Sequence, residues 1–248
     1  MDNRQGAVSR AAHSGFVLAV AAAVLGLLGF GSAYAGILPG FTGFLVMALG
    51  LLTGIAALIL SIVGLSATRP HKGRTGGNRA RQGLVLSVAV IGLILAPAIR
   101  VGNVPRINDI TTDPADPPAF VAAAQLEENR GRDMAYPGEA FAAQQREGYP
   151  DLKPVEMAVP PAVAFDKARA ALASMDRMEI IGESKEEGRI EAVQTTRLFK
   201  FKDDIVVRIR PHGDGSRIDA RSKSRVGKGD QGANADRIRE LFELMRWK

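Results

Sequence analysis

The chain has 248 residues, no cysteine and a formal net charge of +6, and 46 % of its residues are hydrophobic. The lack of cysteine excludes disulfide frameworks, cysteine-based zinc sites and thiol catalysis. Residues 1–99 hold seven Lys/Arg and one Asp/Glu, whereas residues 100–248 hold 25 of each. All the excess positive charge therefore lies in the apolar part of the chain, which excludes a simple soluble fold and removes the reason to expect nucleic-acid binding.

Long uncharged stretches predict three membrane helices. Residues 11–68 contain no Asp, Glu, Lys or Arg, and one crossing needs only about 20 helical residues. Pro39 and Gly40 interrupt this stretch. We therefore predict a cytoplasmic tail over residues 1–14 and helices over about 15–38 and 41–67. A third uncharged run, residues 82–99, has no polar face, which favours a crossing over a buried core helix.

The loop over residues 69–81 sets the expected orientation. It carries five cations and no acid, and short loops rich in Lys and Arg stay on the cytoplasmic side. The N-terminus then also lies in the cytoplasm. The residues after the third helix lie outside, which is the periplasm for a bacterial inner-membrane protein. One alternative is a signal peptide cleaved after Ala35, since residues 33–35 read Ala-Tyr-Ala.

The expected membrane region has two further features: small residues at helical spacing and a lack of charged residues. Gly50 and Gly54 form a GxxxG pattern, which predicts close packing among the three helices, with homodimerisation as the alternative. The predicted spans contain no charged residue, so an ion-coupled transporter is not expected.

A proline-rich stretch follows the membrane region. Residues 100–118 contain four prolines and many Asp, Asn and Thr residues, which favour extended chain and turns. We predict that residues 100–150 are a linker, with short helices over 120–129 and 138–145.

Residues 151–248 predict an extracytoplasmic α+β domain with an antiparallel sheet of four to five strands packed by two helices. The expected elements are a short strand over 153–159, a helix from Pro160, strands over 177–183 and 189–201, a hairpin, and a helix over 231–246. The second of these strands is expected to be bulged. In the hairpin, the alternation around residues 212–215 pairs Pro211 with Ser216, Arg208 with Asp219, and Asp204 with Lys223.

The segment between the hairpin and the last helix holds the candidate binding residues. Gly227, Gly229 and Gly232 spell GxGxxG, but only 16 residues follow Gly232, too few for a dinucleotide-binding βαβ unit. Three interpretations remain: a polar network that locks the last helix onto the strand, an anion or lipid-headgroup site, or a catalytic site. Asp230 is also a potential helix cap. The candidate ligand-binding residues are Arg221, Ser222, Ser224, Arg225, Gly227, Lys228, Gly229, Asp230, Gly232, Asn234 and Arg237.

Catalytic arrangements have little support. Asp203 and Asp204 are adjacent on a strand, so their side chains point to opposite faces. His13, His71 and His212 are far apart in the chain, and His212 is the only histidine of the outer domain. We therefore expect no metal site, no cofactor and no Ser-His-Asp triad.

Three short motifs resemble a known family. They are Phe201-Lys202-Asp203-Asp204-Ile205, residues 221–227 (RSKSRVG), and residues 230–239 (DQGANADRIR). In order and spacing these are similar to the domain of unknown function 1499 family over about residues 104–248. Many members carry a cysteine near the start of the domain, where this chain has residues 106–111 without one. The resemblance implies no established activity.

The sequence thus predicts a multi-pass inner-membrane protein whose outer domain binds a lipid, an anionic cell-wall fragment or a partner protein without catalysis. An envelope hydrolase using Asp203, Asp204 or Asp230 is one alternative, and a structural subunit of a membrane complex is another. The expected partners are the lipid bilayer and an anionic or protein ligand, with a homo-oligomer as a further option and no nucleic acid.

Overall fold

The computed structural model describes residues 7–99 and 104–247, with side chains for 7–96 and 104–246. It divides into an N-terminal helical unit and a C-terminal domain, which are described in turn. The predicted tail falls partly outside the described residues, and so do residues 100–103.

The helical unit consists of α1 (Arg10–Tyr34), α2 (Gly40–Ala67) and α3 (Gly77–Ile99), with a short 3-10 turn at Pro70–Lys72. All three long helices are long and apolar enough to span a bilayer. Both α1 and α3 begin about five residues before the predicted spans, because hydropathy marks the apolar part of a helix and not its first hydrogen-bonded turn. The Ser9 hydroxyl caps α1 by accepting a hydrogen bond from the Ala12 amide at 3.3 Å.

Small residues bring the helices into close contact. A Cβ atom added to Gly50 would lie 2.9 Å from the backbone nitrogen of Gly26, and one added to Gly54 would lie 3.4 Å from the Ile91 side chain. Gly50 therefore faces α1 and Gly54 faces α3, which confirms the prediction that this GxxxG pattern packs the helices of the bundle.

The C-terminal domain is α+β, as predicted. Its elements are β1 (Asp109–Thr111), α4 (Ala122–Gln125), a 3-10 turn (Glu127–Asn129), α5 (Glu139–Gly148), β2 (Val155–Met157), α6 (Pro161–Ser174), β3 (Met178–Ser184), β4 (Arg189–Thr195), β5 (Lys202–His212), β6 (Gly215–Ser224) and α7 (Ala233–Trp247).

The sheet is antiparallel with the order β1-β6-β5-β4-β3, and β2 pairs with β6 beside β1 on the same edge. It therefore has six strands where four to five were predicted. The β5–β6 hairpin has the predicted register, with Pro211 opposite Ser216, Arg208 opposite Asp219, and Asp204 opposite Lys223.

The two faces of the sheet are covered by different parts of the chain. Helices α6 and α7 cover the first face, over a core that includes Phe165, Leu172, Ile205, Ile218 and Leu241. Residues 112–136, which we call the strap, cover the second face, where Phe120 and Ala123 pack on Val206. Both faces are therefore buried.

Two predictions about this region were wrong. The segment 100–150 is not a linker as far as it is described, because β1, the strap and α5 belong to the C-terminal domain. Its prolines and turn residues favour irregular backbone, and the strap contacts the sheet with backbone of this kind. The strand predicted over 189–201 ends at Thr195, and the register shift lies instead in β3, between Ile180 and Gly182.

Candidate functional site

Arg221 lies on the second face of the sheet beneath the strap. Its guanidinium donates to both carboxylate oxygens of Asp109 at 2.8 Å, and the Lys223 ammonium donates to the same carboxylate at 2.8 Å. The ring centroids of Phe120 and Tyr136 lie 4.8 and 5.6 Å from the guanidinium carbon. The side chain of Arg221 is only 2 % exposed and that of Asp109 is fully buried. This candidate binding residue is therefore part of a buried ion cluster.

The candidate residues on the first face form a second buried network. The Ser222 hydroxyl donates to Asn234 Oδ1 at 2.7 Å, and Asn234 Nδ2 donates to the Ser224 hydroxyl at 3.0 Å. Arg237 donates to the Ser222 hydroxyl at 2.8 Å and to Asp203 at 2.5 Å. These contacts join β5, β6 and α7, which confirms the predicted polar network that locks the last helix onto the strand.

Asp204 is held on the opposite face from Asp203. Its carboxylate accepts from Arg225 at 2.6 and 3.0 Å and from Asn129 Nδ2 at 3.1 Å, and Arg132 lies 3.8 Å away. The two adjacent carboxylates therefore point to opposite sides of the sheet, as predicted. They have different arginine partners and do not converge on one site.

The glycine-rich turn is closed by its own carboxylate. Asp230 accepts hydrogen bonds from the backbone amides of Gly232 at 2.9 Å and Asn234 at 3.0 Å. Gly227 and Gly232 adopt φ angles of 91° and 88°, which favour glycine. Burial raises the pKa of Asp230, while the two amides and Asn234 act in the opposite direction. Asp230 thus occupies the position at the start of α7 that an anion would take.

Two cations beside this turn remain accessible. Lys228 is exposed, and so is Arg106, whose Cα lies 3.4 Å from the position of a Cβ added to Gly229. Neither side chain forms a hydrogen bond or ion pair within the described part of the chain. Asn108 ties the two segments together by donating to the Gly227 carbonyl at 2.6 Å. We call Arg106 and Lys228 the exposed cation pair.

Several residues that organise this region were not predicted from the sequence. Asp109 was interpreted as part of a turn, yet it pairs with Arg221, 112 positions later. Glu191 was not singled out, although its carboxylate accepts from the backbone amides of residues 121–123 at 2.9–3.0 Å. The available signal was the run of charges at alternate positions of β6, which was interpreted only as pairs across the β5–β6 hairpin because the strap could not be foreseen.

Two open clefts at the surface of the described part of the domain were compared with the predicted binding residues. One, of about 370 Å³, is lined by residues 112–115, 145–146, 149–150 and 152–153. The other, of about 360 Å³, is lined by residues 156–158, 212 and 214–216. None of the predicted binding residues lines either cleft. Within the described residues, no three His, Asp or Glu side chains are grouped so that they could hold a metal ion.

These observations define a class of protein: an α+β domain with a six-stranded antiparallel sheet and internally paired charges, preceded by three candidate membrane helices. The chain belongs to the DUF1499 family, described as proteins of unknown function, whose family model matches residues 109–245. The match begins with β1 and includes the strap. Comparison with curated proteins and with solved structures gave no match.

Proposed function

We propose that this protein is a multi-pass inner-membrane protein whose C-terminal domain lies in the periplasm and binds an anionic envelope component without catalysis. The orientation is supported by the basic loop 69–81, since such loops stay in the cytoplasm. With three crossings, the C-terminal domain then lies on the other side. The domain follows α3 closely in the sequence, so its ligand would be met close to the bilayer.

The exposed cation pair is the observation that carries the binding proposal. Most arginines of β6, of the turn that follows it and of α7 are paired with carboxylates, including Arg221, Arg225 and Arg237. Arg106 and Lys228 differ because they have no carboxylate partner among the described residues and stand beside a turn rich in glycine. An anionic group could approach the exposed backbone at Gly227 closely there, and the two cations would supply the attraction.

No specific observation favours the hydrolase alternative. A pair of catalytic carboxylates must converge on one substrate. Asp203 and Asp204 lie on opposite faces, and Asp230 caps α7. The charge networks instead give the domain a rigid framework that presents a binding surface.

Hydrogen-exchange mass spectrometry on the full chain in neutral detergent would test the proposal. The probes are muramyl dipeptide, as an anionic cell-wall fragment, and short-chain phosphatidylglycerol, as an anionic lipid. We expect one of them to protect the backbone amides of residues 226–230. The probe that does so identifies the chemical source of the anion.

The variant Arg106→Gln/Lys228→Gln should abolish this protection. Its matched control is Lys167→Gln/Arg246→Gln, which removes one lysine and one arginine from elsewhere on the domain. Equal protection in both variants, or no protection of residues 226–230 by either probe in the wild type, would refute the proposed site.

A further inference from the structure

The helical unit carries positive charge that it cannot neutralise itself. Described residues 7–99 contain six cations and no Asp or Glu. No cation of this unit can therefore form an ion pair with a carboxylate among those residues. The C-terminal domain is different, since buried carboxylates there meet arginines, as in the pair of Asp109 and Arg221.

All six cations lie at one end of the bundle, where α1 begins, α2 ends and α3 begins. They are Arg10, Arg69, Lys72, Arg74, Arg79 and Arg81, and each of them is exposed. We call this group the basic end.

Specific hydrogen bonds hold the basic end together. The Ser9 amide donates to the Thr75 carbonyl at 3.0 Å, and the Thr75 amide donates to the Ala7 carbonyl at 3.2 Å. The Arg79 guanidinium lies 2.9 Å from Nδ1 of His13. The start of α1 and the loop before α3 are thereby fixed side by side, so their cations are kept close although they repel one another.

The position of these cations is electrostatically unfavourable without an anion. Arg10 is the first residue of α1 and Arg79 lies in the first turn of α3, and neither first turn contains an acid. The amino-terminal end of a helix carries partial positive charge, so cations are disfavoured there and anions are favoured. The phosphates of a lipid leaflet lie at the level where membrane helices end, and they carry the complementary charge.

We propose that the basic end binds the headgroups of anionic phospholipids in the leaflet that surrounds it. The basic end lies at the opposite end of the bundle from the last residue of α3. The lipid proposed for it does not depend on the ligand proposed for the C-terminal domain. The lipid would neutralise the basic end and hold the α2–α3 loop against the bilayer surface.

Lipid titration of the purified full chain in neutral detergent tests this proposal. The wild type should bind dioleoyl phosphatidylglycerol in native mass spectrometry more tightly than dioleoyl phosphatidylcholine. Hydrogen exchange should locate the protection in residues 69–76. The variant Lys72→Gln/Arg74→Gln should bind phosphatidylglycerol about 25-fold more weakly, at about fivefold for each cation removed. Orientation in a membrane does not enter this measurement, because a detergent micelle has no sides.

Two control variants and inorganic phosphate as a control ligand separate the outcomes. Lys72→Arg/Arg74→Lys keeps the charges and should bind as the wild type does. Lys167→Gln/Arg246→Gln, which removes one lysine and one arginine from the C-terminal domain, should leave the protection of residues 69–76 unchanged. Protection of residues 69–76 and of residues 226–230 is measured separately, so failure of the two proposals can be told apart. Equal affinity for the two lipids, an unchanged affinity in Lys72→Gln/Arg74→Gln, or equal protection by inorganic phosphate alone would overturn the proposal.

Discussion

At the scale of single residues, the pairing of Asp109 with Arg221 and Lys223 is the most consequential interaction of the C-terminal domain. Three charges share a buried site, in which the Asp109 carboxylate accepts hydrogen bonds from both cations. A buried ion pair adds little net stability compared with an apolar replacement, but removing one partner leaves an uncompensated buried charge.

Asp109→Asn should therefore destabilise the domain by about 3–5 kcal/mol in the free energy of unfolding. Far-ultraviolet circular dichroism would follow urea unfolding of the full chain in detergent. The matched control is Asp214→Asn in the exposed β5–β6 turn, for which we expect a change within about 0.5 kcal/mol. A similar small change in both variants would show that the ion cluster is not important for stability.

Two tyrosines with buried hydroxyl groups predict a loss of stability in alkali. Burial raises the pKa of Tyr136 and of Tyr149 to about 12. Between pH 10 and 12 the unfolded chain releases these protons while the folded domain still holds them, so the free energy of unfolding falls as the pH rises. Below pH 10 both states are protonated, and these groups cause no pH dependence.

Absorbance of tyrosinate near 295 nm would measure this titration. In the wild type, part of the signal should appear only near pH 12, and Tyr136→Phe and Tyr149→Phe should each remove a share of that late signal. Titration of all tyrosines near pH 10 in the folded protein would contradict the expected burial.

At the scale of elements, the attachment of α7 depends on polar contacts at its start and apolar contacts along its length. Ile238, Leu241 and Met245 are buried in the core, as the predicted amphipathic stripe requires. Asn234 and Arg237 add hydrogen bonds to β6 and β5, and Asp230 caps the helix.

Asp230→Ala should cost about 1 kcal/mol of the free energy of unfolding, because the amides of Gly232 and Asn234 lose their acceptor. Hydrogen exchange should become faster in residues 232–235 and remain unchanged in β5. Asp230→Asn should recover part of the stability, since an asparagine oxygen can also cap a helix. If Asp230→Ala leaves exchange at the start of α7 unchanged, the carboxylate is not the cap.

At the scale of the whole molecule, the two parts of the chain differ in net charge. The +6 excess lies with the apolar helices, whereas the positive and negative charges of residues 100–248 cancel. The net positive charge therefore relates to the expected orientation of the chain and not to an excess of positive charge on the C-terminal domain.

Reporter fusions to the C-terminus should show this orientation. We expect an alkaline phosphatase fusion to be active and a green fluorescent protein fusion to be dark, since the former needs the periplasm and the latter the cytoplasm. Replacing all five cations of residues 69–81 by glutamine should produce a mixed orientation. A bright fluorescent fusion of the wild type would contradict the proposed topology.

Local patterns determined much of this protein from the sequence alone. Runs of uncharged residues predicted the three apolar helices, and period-two alternation predicted the register of the β5–β6 hairpin. The same alternation separated Asp203 from Asp204. These features depend on neighbouring residues and on the geometry of one helix or strand, so they can be inferred without knowing the fold.

Only the tertiary structure determined which partners the charged side chains of the second face have and whether they are buried. Asp109 meets Arg221 because β1 pairs with β6, and Arg221 is buried because the strap crosses it. The periodicity of β6 is the same whether its charged face meets water or a strap, so it could not distinguish a solvated face from a buried network. Contacts between residues about 100 positions apart depend on chain topology, which is why the folded structure was needed to distinguish the ion clusters from the exposed cation pair.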